Sequence, residues 1–455
     1  MDTGQVGTES QFWRTTLNDE LLGLELSVLL ANIASWIHRR VEVVEFIDDV
    51  SFDRHVSLDL SIPDDRTRIA APDGSEMHLL PIGYLKKQPL VNFSVRDQGG
   101  RPLFNFTAAE NGGLMVATLK AMCTVIGPIT ESLAEDIEMI VTGLESEAKP
   151  ALRRIVSPQA GSSEFQLRAA IADSKFVRWH LEQAVDNFMF VIAVSAVKGS
   201  RIVLKYEHQE SGLVSKRHSM TRRFVQLLGW RPYEVRLPVS AASCASSYHL
   251  EAVCPDGISI TNLDVLENGK QTNQQNSLQA AIDLSIVPAS RRVFSGERAH
   301  VQTSATSPFE SLTAELTLSP KMRGWLRTAY FAGVLTTATL YVIWKRLHYL
   351  TNHHGLTLTV SLLLGLAASV ASLIVRPNTH GMTLLVMAGL RKIAGFMMVL
   401  PFVDALCLAL VPSDTLQSGV IFWTFVVSAG SEFLLVIAGL LADRRARHTM
   451  SHKVL

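Results

Sequence analysis

Residues 326–344 read LRTAYFAGVLTTATLYVIW. At about 1.5 Å of rise per residue, a helix of this length crosses a hydrocarbon core of ~30 Å, so the stretch predicts a transmembrane helix. Comparable apolar runs follow over 356–375, 393–411 and 419–441, which makes a four-helix membrane region over 321–443. The shorter run Met382 to Leu390, cut off from the third span by Arg391 and Lys392, reads as an interfacial or cytoplasmic linking helix.

Lys and Arg near spans are retained on the cytoplasmic side. Lys321, Arg323, Arg327, Arg376, Arg391, Lys392, Arg444, Arg445, Arg447 and Lys453 lie on one side of the predicted membrane, against Lys345 and Arg346 on the other. Both termini, the basic tail 444–455 and the region before the spans are therefore expected in the cytoplasm, in a multi-pass protein of the plasma membrane. Met1 to Gln11 lacks a basic, then apolar, secretory pattern, so no export of the front region is expected. The cysteines Cys123, Cys244, Cys254 and Cys407 form no CxxC pair or disulfide framework, which suits a reducing compartment. The sequons at Asn92 and Asn105 then meet no glycosylation machinery.

Charge divides along the same line. From Lys321 onward there are 12 Lys and Arg against 4 Asp and Glu, which leaves 30 against 38 in the first 320 residues. An acidic front region speaks against nucleic acid as a partner, since that binding rests on phosphate neutralisation by basic surface. The lipid bilayer is the expected partner, with a protein partner or a homo-oligomer beside it. Lys216, Arg217, Arg222 and Arg223 form a local basic cluster, read first as a solvated loop and second as a contact for anionic headgroups.

Within residues 1–40, Leu21 to Ile37 is amphipathic. Leu22, Leu26, Leu29, Leu30, Ile33 and Ile37 share one side, opposite Glu25, Asn32 and Arg39. A helix packed on a core is the first reading, ahead of an interfacial membrane helix or a fifth span. Residues 41–320 read as a β-rich region of one or two domains. Strands are predicted over Val41–Phe46, His55–Ile62 and Val91–Arg96, the last joined through the turn at Asp97–Gly100 to Pro102–Phe106. A helical block over 108–187 follows, with helices at Ala108–Val125, Ile129–Leu144 and Ser163–Asn187, the last opened by a Ser163/Gln166 capping box. Strands then return at Met189–Val197 and Arg201–Glu207, paired across Lys198–Ser200, and at Tyr233–Val239, Ser247–Cys254, Ile258–Thr261, His300–Thr303 and Leu312–Leu318. The amide-rich Asn268–Gln279 predicts a mobile loop. The expected class is α+β, a β-sandwich-like region with a helical layer followed by a four-helix transmembrane bundle.

Phosphate-loop, dinucleotide, zinc-protease, EF-hand and nucleophile-elbow motifs are all absent, so no cofactor or metal is expected and the reading leans away from an enzyme. Catalytic residues stay unassigned. The neighbourhood of Cys244, Tyr248, His249 and Cys254 could in principle activate a thiol, but a strand over Ser247–Cys254 predicts buried structural cysteines and a solvent-facing His249. His348, His353 and His354 lack the partner pattern of a metal site and read as interfacial polar residues.

Asp404 and Glu432 carry more weight, because an ionised side chain inside a span costs about 2.5–3.5 kcal/mol on insertion scales. Helical rise puts them about 16 Å and about 13 Å from the inner ends of the third and fourth spans. Brought together, they would share a proton. One reading has a neutral carboxyl bonding to Thr336, Thr337 or Ser428 to fix helix packing; the other has the pair bind a cation or relay protons, which with so few spans needs an oligomer. The function expected from the sequence is a membrane protein with a cytoplasmic binding, sensing or scaffolding region. An oligomeric channel or ion-coupled protein is the alternative and a membrane-anchored enzyme the second alternative.

Overall fold

The structure, a computed structural model, describes residues 20–48, 51–63, 67–70, 76–158, 164–211, 214–215, 233–239, 244–267, 289–294, 298–304 and 312–320, with a few helical positions between 334 and 430. Helix α1 (Glu20–Ala31) and the short α2 (Ile33–Trp36) lead into strands β1 (Ile37–Phe46), β2 (Ser51–Ser61), β3 (Arg68–Ala70), β4 (Glu76–Lys86), β5 (Val91–Arg96) and β6 (Phe104–Asn105). A helical block follows, of α3 (Ala108–Thr124), α4 (Glu131–Thr142), α5 (Glu145–Val156), α6 (Phe165–Asp173) and α7 (Lys175–Asp186). Strands β7 (Asn187–Val194), β8 (Arg201–Ser211), β9 (Val214–Ser215), β10 (Tyr233–Pro238) and β11 (Ser247–Val253) come next. The region closes with β12 (Ile258–Glu267), β13 (Ala289–Phe294), β14 (Arg298–Ser304) and β15 (Leu312–Pro320).

The described strands make three sheets. A seven-stranded sheet runs β13-β14-β11-β1-β2-β8-β5, and two four-stranded sheets run β3-β4-β7-β6 and β12-β15-β10-β9. The pairing of β1 with β11 is parallel, whereas the other described strand pairs are antiparallel. The expected α+β class holds, with mixed sheets and several helices.

One face of the large sheet is shared between two cores. Toward one end, Val56, Leu58, Leu60 and Leu204 pack with Leu80 and Ile82 of β4 and Met189–Val194 of β7, and the helices close this core from the far side. Toward the other end, Val44, Phe46, Phe52 and Leu250 pack with Val235, Leu237, Leu263 and the alternating Leu312, Ala314, Leu316 and Leu318 of β15. Strand β7 is thus covered by helices on one face and by the large sheet on the other. That double cover is why its sequence, FMFVIAV, is apolar without alternation.

The pairing of β7 with β8 expected across Lys198–Ser200 is not what the chain does. Gly199, at φ +73°, turns it out of one sheet and into another, and β8 pairs along its whole length with β2. The helix expected over Ser163–Asn187 is two helices broken at Ser174, whose Oγ caps α7 by accepting from the Val177 amide at 3.5 Å. Ser163 lies outside the described residues, and Glu164, at the N-cap of α6, makes no side-chain capping bond. Strand β4 is not predicted from the sequence because Pro81 and Gly83 interrupt it. Both sit at a register shift, where a missing ladder donor is tolerated. Helix α5, β3 and β13 were also missed, and β6 joins β7 while only a bridge from Arg96 to Pro102 completes the hairpin expected with β5.

Helix α1 lies on α3, and the apolar side picked out in the sequence, Leu22, Leu26, Leu29, Leu30, Ile33 and Ile37, is buried throughout. The crossing is close, since a Cβ on Gly23 would lie 2.5 Å from the Ala117 carbonyl oxygen. Gly23→Val is therefore expected to cost on the order of 1–3 kcal/mol by overpacking. A urea titration of the full chain in mild detergent, followed through the buried Trp36 and Trp179, should show a lower midpoint. Farther along, Asp136 accepts from Arg154 at 2.5 Å and from Arg168 at 2.6 Å, which ties α4, α5 and α6 together.

Among the described residues no helix is long and apolar enough to cross a membrane. The four predicted spans fall mostly outside those residues, and Asn268–Gln279 and the outer-loop histidines wholly so. The positions that are described there, such as Val334, Val342, Val360–Gly365, Phe402 and Trp423, are helical. Most of the large apolar ones are exposed, Trp423 to 62 % and Val342 to 58 %.

Candidate functional site

Three strands of the large sheet carry charge in their buried phase. On β1, Arg40 and Glu42 precede Val44 and Phe46; on β2, Arg54 lies between Phe52 and Val56; on β8, Tyr206, His208 and Glu210 continue the phase of Leu204. Strand register puts Glu42 opposite Val56, and Val56 opposite Tyr206, so these side chains converge on one face.

Glu42, fully buried, is the hub. Its Oε1 accepts from Arg40 Nε at 2.6 Å, and its Oε2 accepts from Arg54 and from the Tyr248 hydroxyl at 3.0 Å. Arg40 also donates to the Tyr206 hydroxyl at 2.7 Å and to the Ile82 carbonyl of β4 at 3.3 Å. Arg54 donates to Glu210 at 3.3 Å and to the Pro238 carbonyl of β10 at 3.1 Å, and His208 hydrogen-bonds Glu210 at 2.9 Å. The network fills the gap between the two cores, with one arginine fastened to each small sheet. Burial acts to raise the Glu42 carboxyl, but the flanking guanidiniums of Arg40 and Arg54 outweigh it and hold the group below the usual range. Glu210 behaves alike: against burial, Arg54 and His208 bring it down to about 2.

The opposite face of the same strands is open and holds a cleft of about 370 Å³ under the turn at Asp97–Gly100. Register sorts its side chains into rows across the sheet. One row runs Val41, Ser57, Lys205, Arg96 and the next runs Val43, His55, Glu207, Ser94. Glu207 accepts from Ser94 at 2.8 Å and lies 3.3 Å from His55 Nδ1, while Asp97 is held by Arg101 at 2.8 Å. Beyond them, the Asp53 carboxyl is raised, by burial first and by Glu45 and Glu207 nearby, against the opposing pull of His55. The arrangement is mixed in charge, concave and part apolar, which suits recognition of a small polar molecule.

Residues singled out from sequence fall elsewhere. Lys216, Arg217, Arg222, Arg223, Asp404 and Glu432 lie outside the described residues. Tyr248, Leu250 and Ala252 face the core as expected, and Cys244 and Cys254 are buried. Burial pushes the Cys254 thiol up to about 12, so it stays protonated at neutral pH. His249 departs from the expectation of a solvent-facing side chain. It is 8 % exposed, with Ser247 at 3.2 Å on its own strand and His300 at 3.3 Å on the neighbouring β14. Among the described residues no group of three His, Cys, Asp or Glu could hold a metal.

Strands predicted to begin at Val41 and His55 exclude Arg40 and Arg54, which belong to β1 and β2, and with them the network. Extending the period-two pattern by one or two residues places both arginines, with Glu42, on the apolar phase. Charge in the buried phase of neighbouring strands is the signal that would have found the site. Neither a protein-family model nor a curated protein matches the chain.

Proposed function

We propose that this chain is an integral membrane protein with four spans and both ends in the cytoplasm, whose α+β region is a cytoplasmic module that binds a small ligand in the cleft under Asp97–Gly100. The observation that carries the membrane assignment is the run of helical, exposed apolar positions from Val334 to Val427, on the stretches whose length fits a bilayer. Monomeric soluble domains rarely leave large apolar surface in water. Strand β15, its alternate residues buried, ends at Pro320, six residues before the first predicted span. The region is thereby tethered at its last strand.

A topology experiment tests this. Alkaline phosphatase, active only outside the cytoplasm, and a fluorescent protein, active only inside, are fused in turn after His354, after Ser413 and at the C-terminus in a bacterial host. Phosphatase activity is expected at the first two sites and fluorescence at the last. Release of the chain by alkaline carbonate, or phosphatase activity from a fusion within the α+β region, would overturn the assignment.

A further inference from the structure

The cleft sets two cations in direct register. Arg96 and Lys205 are register partners on the neighbouring strands β5 and β8, side by side on the open face. Like charges directly opposite in a sheet destabilise it. Two other surface cations of this sheet are matched: Arg201 makes a two-point contact with Asp59, at 2.6 and 2.5 Å, and Arg298 reaches Glu251. Among the described residues the side chains of Arg96 and Lys205 have no hydrogen-bond or ion-pair partner. The two carboxylates closest in the cleft are engaged, Asp97 by Arg101 and Glu207 by Ser94 and His55.

We propose that Arg96 and Lys205 receive the phosphate of a small organic phosphate whose body lies over Val41 and Val43. A guanidinium presents a planar fork that matches two phosphate oxygens, and an ammonium adds a movable point charge. Ser57, in the same row, supplies a hydroxyl on the side of Lys205 away from Arg96. Glu207 and His55, one row on, face the hydroxyls or amine that such a body carries. The volume, about 370 Å³, falls in the range of small-molecule sites. A dianion between the two cations turns a repulsive pair into an attractive triad. This deepens the binding role proposed above and rests on it for the location of the ligand in the cytoplasm, but not for the chemistry of the cleft.

The test uses the full chain in mild detergent, where binding is read independently of topology. Inorganic phosphate, glycerophosphate and AMP are titrated by calorimetry, and the intact protein in nanodiscs of phosphatidylcholine with or without phosphatidate supplies the lipid arm. Saturable binding of AMP or glycerophosphate is expected, weaker for inorganic phosphate, which lacks a body. Arg96→Gln with Lys205→Gln should weaken it about ten- to a hundredfold, whereas Lys205→Arg should retain it. Without ligand, the double variant should keep or raise the urea midpoint, because it removes a like-charge pair, and this checks that it folds. Competition by phosphatidate nanodiscs alone, lost in the double variant, would support the site with a lipid headgroup as the source. Absence of saturable binding by every phosphate probe, or binding that the double variant leaves unchanged, overturns the proposal. The topology fusions fail or succeed separately.

Discussion

Glu42→Ala should destabilise the α+β region by about 3–5 kcal/mol, the range for breaking a buried ion pair from one side. The substitution removes the acceptor of Arg40, Arg54 and Tyr248 together, at a fully buried position. Two guanidiniums then face one another across a vacated centre, each still fastened to a different small sheet. A domain of ordinary stability has little more than this to lose. The urea midpoint of the full chain in detergent should drop sharply, and Glu42→Gln, which keeps an oxygen acceptor but not the charge, should fall between. A Glu42→Ala midpoint equal to that of the parent would show that the network contributes nothing to stability.

Acid is expected to loosen the same joint. A carboxylate held below its unfolded-state value, near 4.3 for Glu, stabilises the fold fully above that value and ceases to do so as pH falls toward the folded-state value. Glu210 is held at about 2 and Glu42 is also lowered, each against the effect of burial and by its arginine neighbours. The contribution of Glu210 alone is on the order of 3 kcal/mol. It should be intact at neutral pH and disappear between about pH 5 and about pH 2. Urea midpoints measured at stepped pH should be level from about pH 8 to about pH 6 and then fall, with a shallower fall in Glu210→Gln. A midpoint at about pH 3 equal to that at about pH 7 would refute the coupling.

How much of this was legible in the sequence depends on how local the cause is. Alternation over Leu312–Leu318 and over Val56–Ile62 marked strands and their buried sides, because one-faced burial writes itself into every second residue. The start of α3 is local too: Thr107 and Glu110 cap each other, and the expected helix over Ala108–Val125 appears there. What no local pattern carries is partner choice. The turn at Lys198–Ser200 has the composition of a hairpin, yet β7 and β8 go to different sheets, since the choice is made by helices α3 and α7 on one side of β7 and by β2 beside β8. The cleft was invisible for the same reason. Arg96 and Lys205 are far apart in the chain, and only the ladder from β5 to β8 sets them side by side.

The parallel neighbour of β1 is supplied by a strand synthesised late. Glu42 and Tyr248, bonded across that seam, are 206 positions apart. Strand β1 therefore leaves the ribosome with one edge open, and that edge stays open until Ser247–Val253 has emerged. Closing so long a loop is slow, and unpaired edges invite association between nascent copies. Under the membrane assignment, the first span follows Val253 by some seventy residues, on the order of ten seconds of translation. The front region thus has a short interval in which to complete its sheet before the ribosome is drawn to the bilayer, and a chaperone that shields β1 would be of most use in that interval.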